Sequence, residues 1–478
     1  MILLTALLPV IGGCILFGLP EDKVRRAADI VIIGSALVGI VTALCCRGMS
    51  FTGLKFLPTT PVYFALDEIG SFFMLLFAFV FGMVQLYAPG YMHHEGKEPQ
   101  FYGFYAITLG TLFAVCMAKN AITFYMCFEF MSICSMPLVL HNGSEISRLA
   151  AFKYLGYSTL GASLALLGMF IATTGVNSLE FTAGGTGIMA GTEAKMLVAF
   201  FLIFIGFGAK AGLVPLQMWL TEAHPVAPSP ASAVLSGIIT KSGVLAIIRF
   251  TFFIFGADFV RGTWVQTVLL VIVLCTIFMG SMLAYKEKVL KKRMAYSTIS
   301  NVSYVLLGVL TLSSIGFVGA LLQVTFHALA KDILFLSAGS IILKTGCTRV
   351  DQLKGIGRRM PVTLSCLTIA AISLIGIPPF GGFVSKWYLC LGGFELSTGM
   401  GIAAMTVLMI SALLTAFYLL SITADAFFPG RDFEAGEKCE VSRRMLIPSV
   451  TFAALLLIIG LAPNWLIQIF SAISGTIL

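Results

Sequence analysis

Six ionisable residues stand inside long apolar runs of this chain. They are Glu129 in FYMCFEFMSICSMP, Lys210 in FLIFIGFGAKAGLVP, Lys241 in LSGIITKSGVLAII, His327 and Lys331 in QVTFHALAKDILFL, and Lys386 in GFVSKWYL. A charge at the centre of a bilayer costs on the order of 2.5 to 3.5 kcal/mol or more, so such residues persist where they pair, line a cavity or relay protons. A lysine out of water gives up its proton readily, and a nearby carboxylate favours keeping it. An acid whose influence moves toward or away from the lysine therefore switches it between holding and releasing a proton. Glu129 and Lys210 have the composition of such a switch. For one pair alone, a static ion pair fixing helix register is the competing reading; it weakens as more lysines stand at the same depth. His327 and Lys331, at i and i+4, share one helical face, and beside Lys331 the histidine reads as a proton relay. No nucleotide loop or nucleophile–base motif accompanies them, and the eleven cysteines contain no CxxC pair. Catalytic residues, a resident metal and a cofactor in this chain are therefore not expected.

The elements that position these residues must be membrane helices. Of 478 residues, 58% are hydrophobic and 11% charged, whereas soluble domains carry about a quarter charged residues. At about 20 residues per crossing, the apolar runs predict fourteen spans, at roughly 2–19, 28–46, 70–88, 102–118, 120–140, 150–174, 194–220, 230–256, 264–284, 293–312, 315–343, 361–393, 400–428 and 445–470. No extramembrane domain is left over. The first run has no basic n-region and no evident cleavage site, so it reads as a retained helix.

Basic residues collect after odd-numbered spans: Lys23, Arg25 and Arg26; Lys97; Arg148; Lys286, Lys288, Lys291, Lys292 and Arg293; Lys344, Arg349, Lys354, Arg358 and Arg359; and Arg431, Lys438, Arg443 and Arg444. Against these nineteen, the opposite side offers Arg47, Lys55, Lys119 and Arg261. Basic loops stay cytoplasmic, so a multi-pass protein of the inner (cytoplasmic) membrane with both termini outside is expected. The formal charge of +8 then belongs to membrane topology and is no argument for nucleic acid.

Two spans are interrupted. The seventh contains GFGAKAGLVP, with Gly212 and Pro215, and the twelfth GIPPFGGFVSK, with Pro378 and Pro379. Such breaks free backbone groups that lipid cannot satisfy, so they occur where backbone lines a hydrated cavity. Each lies beside a lysine and is followed by tryptophan, Trp219 or Trp387. Matching interruptions point to inverted repeats with ion sites at their interface. The division expected is residues 1–100 (spans one to three), 101–256 (first five-helix repeat), 257–428 (second, inverted) and 429–478 (last span). Weaker signals are Asp332, pairing with Lys331 or capping a cavity; Arg249, snorkelling to the outer interface; and Glu222 with His224, a solvated loop or a proton entry port at the cytoplasmic mouth. His93 and His94 read as a solvated loop, and Lys153 and Asp425 as reaching the headgroups.

The stretches KAGLVPLQMWLTEAHPVAPSPASAVLSGIITKSGVLAIIR, KKRMAYSTISNVSY, FHALAKDILFLSAGSI and GIPPFGGFVSKW resemble, in order over about residues 67–390, the antiporter-like subunits shared by respiratory complex I, membrane-bound hydrogenases and Mrp-type cation/proton antiporters. The resemblance implies an all-α fold of about fourteen helices, two inverted five-helix repeats and broken helices seven and twelve. It also implies a polar axis through Glu129, Lys210, Lys241, His327, Lys331 and Lys386. Gln217 and Thr221 depart from the PxHxWLP pattern of many relatives, Asn301 stands where complex I subunits often have histidine or glutamine, and Lys386 stands where one branch has glutamate. With its last span the fourteenth, the chain is not expected to carry the long lateral helix of the largest complex I subunit. The function implied is proton translocation within a redox complex, beside other membrane subunits and lipid, with peripheral subunits carrying iron–sulfur clusters and other redox centres. The alternative is an Mrp-type subunit exchanging sodium for protons, and a membrane scaffold with residual motifs is the third.

Overall fold

A computed structural model describes residues 2–57, 60–430 and 436–478. Arg431 and the side chain of Lys55, both used in the charge reading, lie outside what it describes. Helix α1 (Ile2–Phe17) and α2 (Glu21–Cys45) precede a hairpin of β1 (Ser50–Leu57) and β2 (Thr60–Ala65) that the hydropathy pattern did not announce. There follow α3 (Glu68–Glu95), α4 (Glu98–Met117), α5 (Ala121–Leu140), α6 (Glu145–Ala172), and the interrupted pair α7 (Glu193–Ala211) and α8 (Met218–Val226). The next helix runs from Ser229 to Phe255 as α9 (Ser229–Val234), a π-helical stretch Leu235–Ile239, α10 (Thr240–Arg249) and a second π-helical stretch Phe250–Phe255. After the single turn α11 (Ala257–Val260) come α12 (Trp264–Lys286), α13 (Leu290–Leu310), α14 (Ser314–Thr345) and the short α15 (Ile356–Arg359). The second interrupted pair is α16 (Pro361–Ile375) with α17 (Gly381–Gly393), and α18 (Thr398–Phe427), α19 (Arg443–Leu461) and α20 (Asn464–Ile477) complete the chain. The run expected as one helix over 445–470 is thus two, parted at Pro463.

Among the described residues, eleven helices are long and apolar enough to cross a membrane. The shorter apolar helices α1 and α16 and the more polar α13 are compatible with a larger count. Helix starts are set by short polar side chains just ahead of the apolar runs. Asp67, Asn120, Ser144, Thr263 and Ser313 each accept a hydrogen bond from the N–H three residues on, which satisfies donors that the first turn leaves open.

The connections sort onto two faces. On one, Arg25 pairs with Glu98 (2.7 Å) and Arg444 with Asp29 (2.6 Å), His141 meets the Gly96 carbonyl, Val289 bridges to Arg349, and Arg359 donates to the Glu437 carbonyl. On the other, Phe64 bridges to Ala118, Asn120 to Glu180, Thr182 donates to the Phe253 carbonyl, Arg261 to the Leu312 carbonyl (2.7 Å), and Ser314 meets Ser474 (2.8 Å). Contacts run within a face, as expected when each helical unit carries the chain from one side to the other.

Between the faces, Ser229–Phe255 is buried along its whole length and α14 from Gly316 to Ile341. Helix α18, by contrast, turns Leu413 and Phe417 outward. A fully buried helix must direct its polar side chains at other protein groups, so these two helices form the spine of the polar axis.

Arg249 does not snorkel. Its guanidinium is fully buried and forked onto Asp67, the α3 N-cap residue, with Nη2 2.7 Å from Oδ1, and it lies over the Phe181 and Phe253 rings at 5.4 and 4.9 Å. The pair ties the end of α10 to the start of α3. Removing one partner of a buried ion pair costs about 3 to 5 kcal/mol, while replacing both by apolar groups is often neutral. Asp67→Leu should therefore lower the melting temperature in detergent, and adding Arg249→Met should recover much of the loss. A single variant that melts like the native protein would remove the pair from the list of supports.

Candidate functional site

Lys210 occupies the last turn of α7, where Gly212, at φ +89°, ends the helix in the left-handed conformation that glycine adopts without strain. The residue is 1% exposed, and its ammonium donates to Tyr154 OH (2.6 Å), Ser132 Oγ (3.0 Å) and Ser158 Oγ (3.3 Å). Tyr154 also supplies its ring face at 4.3 Å and exchanges a hydrogen bond with Ser135 (2.6 Å). A hydroxyl cradle on α5 and α6 thus receives a cation from α7. Beyond the break, Trp219 on α8 reaches back, its Nε1 donating to the Ala209 carbonyl (2.9 Å). Glu129, half-buried on α5 one turn before Ser132, stands close enough to act on Lys210 electrostatically without an ion pair, and its Oε1 has no partner.

The middle of the site lies where α10, α13 and α14 meet. The Lys241 ammonium donates to the Ser236 carbonyl (2.5 Å) inside the π-helical stretch Leu235–Ile239, whose wider winding leaves carbonyls off the α-helical ladder. Lys331 donates to the Met294 carbonyl of α13 (3.0 Å). Lys291, counted as a loop base from sequence, is buried and donates to the Ala227 carbonyl (3.0 Å). His224 is also not a solvated loop residue: it is fully buried and stacked on Phe335 with ring centroids 4.6 Å apart. Its neighbour Glu222 pairs with Lys153 at 3.4 Å. Neither ring nitrogen of His224 or His327 has a protein partner, nor does either oxygen of Asp332. Buried polar groups left open by protein are the ones internal water satisfies.

Lys386 lies on α17, just past the second break, which opens at Gly376 (φ +91°). Its ammonium donates to the Leu374 (2.7 Å) and Ile375 (2.6 Å) carbonyls at the end of α16, with the Tyr304 ring at 5.4 Å. A cation at a helix C-terminus meets the negative end of the backbone dipole. Next to it Ser385 donates to Gln323 (2.7 Å), whose amide contacts Asn301 (3.3 Å), which donates to the Ser297 carbonyl (2.9 Å). Ser297 in turn accepts from Tyr418 (2.8 Å). The two breaks differ in chemistry: in the first the Trp219 indole joins the Gly212 and Leu213 N–H groups on the severed end, and in the second the lysine takes the last two carbonyls, while Trp387 is 56% exposed.

Among the described residues, none of Lys210, Lys241, Lys291, Lys331 and Lys386 forms an ion pair. Sequence reasoning named most of the cations and missed their acceptors. Tyr154 and Ser158, at i and i+4, and Ser132 and Ser135, at i and i+3, are the signal that was available: hydroxyls on one face of apolar helices.

Residues 118–415 match the family described as NADH:quinone oxidoreductase/Mrp antiporter, TM, and residues 59–102 the one described as NADH-Ubiquinone oxidoreductase (complex I), chain 5 N-terminus. Hydrogenase-4 component B of Escherichia coli (strain K12) is 30% identical over 84% of this chain; the match spans 62% of that longer protein. NADH-quinone oxidoreductase subunit N of Desulforudis audaxviator is 30% identical over 84% of this chain and 83% of its own. A Na(+)/H(+) antiporter subunit of Alkalihalophilus pseudofirmus is 28% identical over 100% of this chain and 97% of its own. Of solved structures, the Mrp complex from Dietzia sp. DQ12-45-1b contains a chain of the same fold, with a TM-score of 0.85 at 20% identity over 100% of this chain and 97% of that one. Respiratory complex I from Thermus thermophilus contains another, at 0.82 and 23% over 100% of both.

Trp219→Phe keeps the ring and removes the donor to Ala209. The Ala209 carbonyl keeps the Gly212 N–H at 3.2 Å, so the loss is that of one ordinary hydrogen bond, about 0.5 to 1.5 kcal/mol, and the variant should melt a few degrees below the native protein in detergent. An unchanged melting curve would show that the first break does not depend on the indole.

Proposed function

Because the chain belongs to the NADH:quinone oxidoreductase/Mrp antiporter family of membrane subunits, we propose that it moves protons along Glu129, Lys210, Lys241, His327, Lys331 and Lys386. Electron transfer in partner subunits of a complex I-related complex is the drive. The observation that carries this reading is the Lys210 ammonium held by three hydroxyls, with Glu129 near but unpaired. A locked lysine–carboxylate pair resists losing its proton because a stranded buried charge remains. A hydroxyl cradle accepts from an ammonium and donates to a neutral amine equally well, so it tolerates both states. Movement of Glu129 or its surroundings then tips the balance.

In this proposal residues 101–256 and 257–428 are the two inverted repeats, flanked by 1–100 and 429–478, with Gly212, Pro215, Pro378 and Pro379 shaping their breaks. The face bearing Arg25, Arg359 and Arg444 is cytoplasmic, both termini are outside, and the membrane is the inner one. The first repeat loads from the cytoplasm near Lys210, and Lys386, in the outer half of the twelfth span, releases outward. Partner subunits supply iron–sulfur clusters and other redox centres; this chain supplies only the path. The second reading, an Mrp-type subunit exchanging sodium for protons, is favoured by the end-to-end match to the Alkalihalophilus pseudofirmus antiporter protein. A requirement for a sodium gradient, and indifference to any electron donor, would select it.

In membrane vesicles carrying the assembled complex, Lys210→Ala should abolish proton uptake, by about a hundredfold or more, with assembly intact; normal uptake would take Lys210 off the path. Glu129→Gln, which keeps shape and loses charge, should slow uptake less severely, and an undiminished rate would make Glu129 structural. Lys386→Met should stop release while a cysteine placed beside Lys210 stays reachable from the cytoplasmic side. Access to Lys386 from the cytoplasm alone would reverse the proposed direction.

A further inference from the structure

Asp332 follows Lys331 on α14, yet the two side chains go to different places. Lys331 reaches α13, while the Asp332 carboxylate lies against the π-helical stretch that carries the acceptor for Lys241: a Cβ at Gly237 would sit 2.6 Å from its Oδ2. The Lys241 ammonium is held one residue away, on the Ser236 carbonyl. Asp332 is fully buried, and neither oxygen has a protein hydrogen bond. Of the other ionisable groups around it, Tyr105 on α4 donates its hydroxyl to the Phe81 carbonyl, and His327 lies on Asp332's own helix. A buried carboxylate with no donor is costly as an anion unless a nearby cation or a proton neutralises it. Lys241 is the cation that shares its turn.

We infer that Asp332 exchanges a proton with Lys241, making the two a second carboxylate–lysine station at the centre of the molecule. In the exchange one N–H bond of the ammonium breaks and an O–H bond forms on the carboxylate, so two separated opposite charges become a neutral amine and a neutral acid. The net charge of the station is zero on both sides of the step. The proton can therefore sit on either group with no net charge in low dielectric, whereas a proton held by an isolated lysine leaves a lone buried cation. Gly237 is what lets the carboxylate approach the turn, since any side chain there would occupy its place. The assignment rests on the proton-path reading and adds to it a residue that the motif resemblance did not mark.

The test uses vesicles with the assembled complex and Lys210→Ala as reference. Asp332→Asn, nearly isosteric, should lower proton uptake about a hundredfold, and Asp332→Glu should restore part of it. A merely structural role would not favour the longer acid over the isosteric amide. In the native complex a hydrophobic carbodiimide, which adds to protonated buried carboxyls, should modify Asp332, read by peptide mass spectrometry. Uptake at the native rate in Asp332→Asn, while Lys210→Ala has lost it, would overturn the inference and leave the path standing. Native uptake in both would bring down the path itself. If Asp332→Asn fails to assemble, the carbodiimide result decides: an adduct at Asp332 supports the exchange, and its absence overturns it.

Discussion

An ammonium buried in a membrane protein must find acceptors, and here interrupted helices furnish half of them. Lys386 is held by the carbonyls at the end of α16, Lys241 by a carbonyl inside a π-helical stretch, and Lys291 by the junction between α8 and α9. An unbroken helix offers few such carbonyls, since its own N–H groups already use them. The breaks and π-helical stretches therefore hold three of the five buried lysines, while Lys210 uses hydroxyls of α5 and α6 and Lys331 a carbonyl of α13. The converse also holds, because carbonyls freed inside a bilayer need a donor that lipid cannot provide.

This mutual dependence explains the choice of acceptor. Carbonyls and hydroxyls stabilise an ammonium less firmly than a carboxylate in contact does, and they leave no stranded anion when the proton departs. The carboxylates that are present, Glu129 and Asp332, stand off from their lysines without ion-pairing. Where the chain does use a buried ion pair, Arg249 with Asp67, the cation is the one that does not deprotonate, and the contact ties helix to helix. The charge that cannot leave ties helix to helix, and the lysine ammoniums are held by neutral groups.

Much of this was legible in the sequence because lipid enforces a simple rule. Apolar runs of helical length located α3 to α7 and α12 to α14, and the Gly–Pro clusters located both breaks, with Gly212 and Gly376 ending their helices as the composition suggested. What escaped was set by long-range contact. Arg249 looked like a snorkelling residue because its partner Asp67 is 182 positions away, and His224 looked solvated because the aromatic that covers it, Phe335, belongs to another helix. The π-helical stretch at LSGII carries no composition signal that distinguishes it from ordinary helix. The strands of the β1–β2 hairpin are shorter than a membrane span, so helix-length hydropathy does not mark them.

Proton passage between lysines held by neutral acceptors requires hydrogen-bonding continuity from the Lys210 cradle through Lys241 and Lys331 to Lys386. The most direct measurement is a structure of the assembled complex, at rest and during turnover, at a resolution that shows ordered water. Water should link the open polar groups of Glu129, Asp332 and His327 to the lysines, with a continuous chain between Lys331 and Lys386 in at least one state. A dry apolar barrier between Lys331 and Lys386 in every state would contradict it.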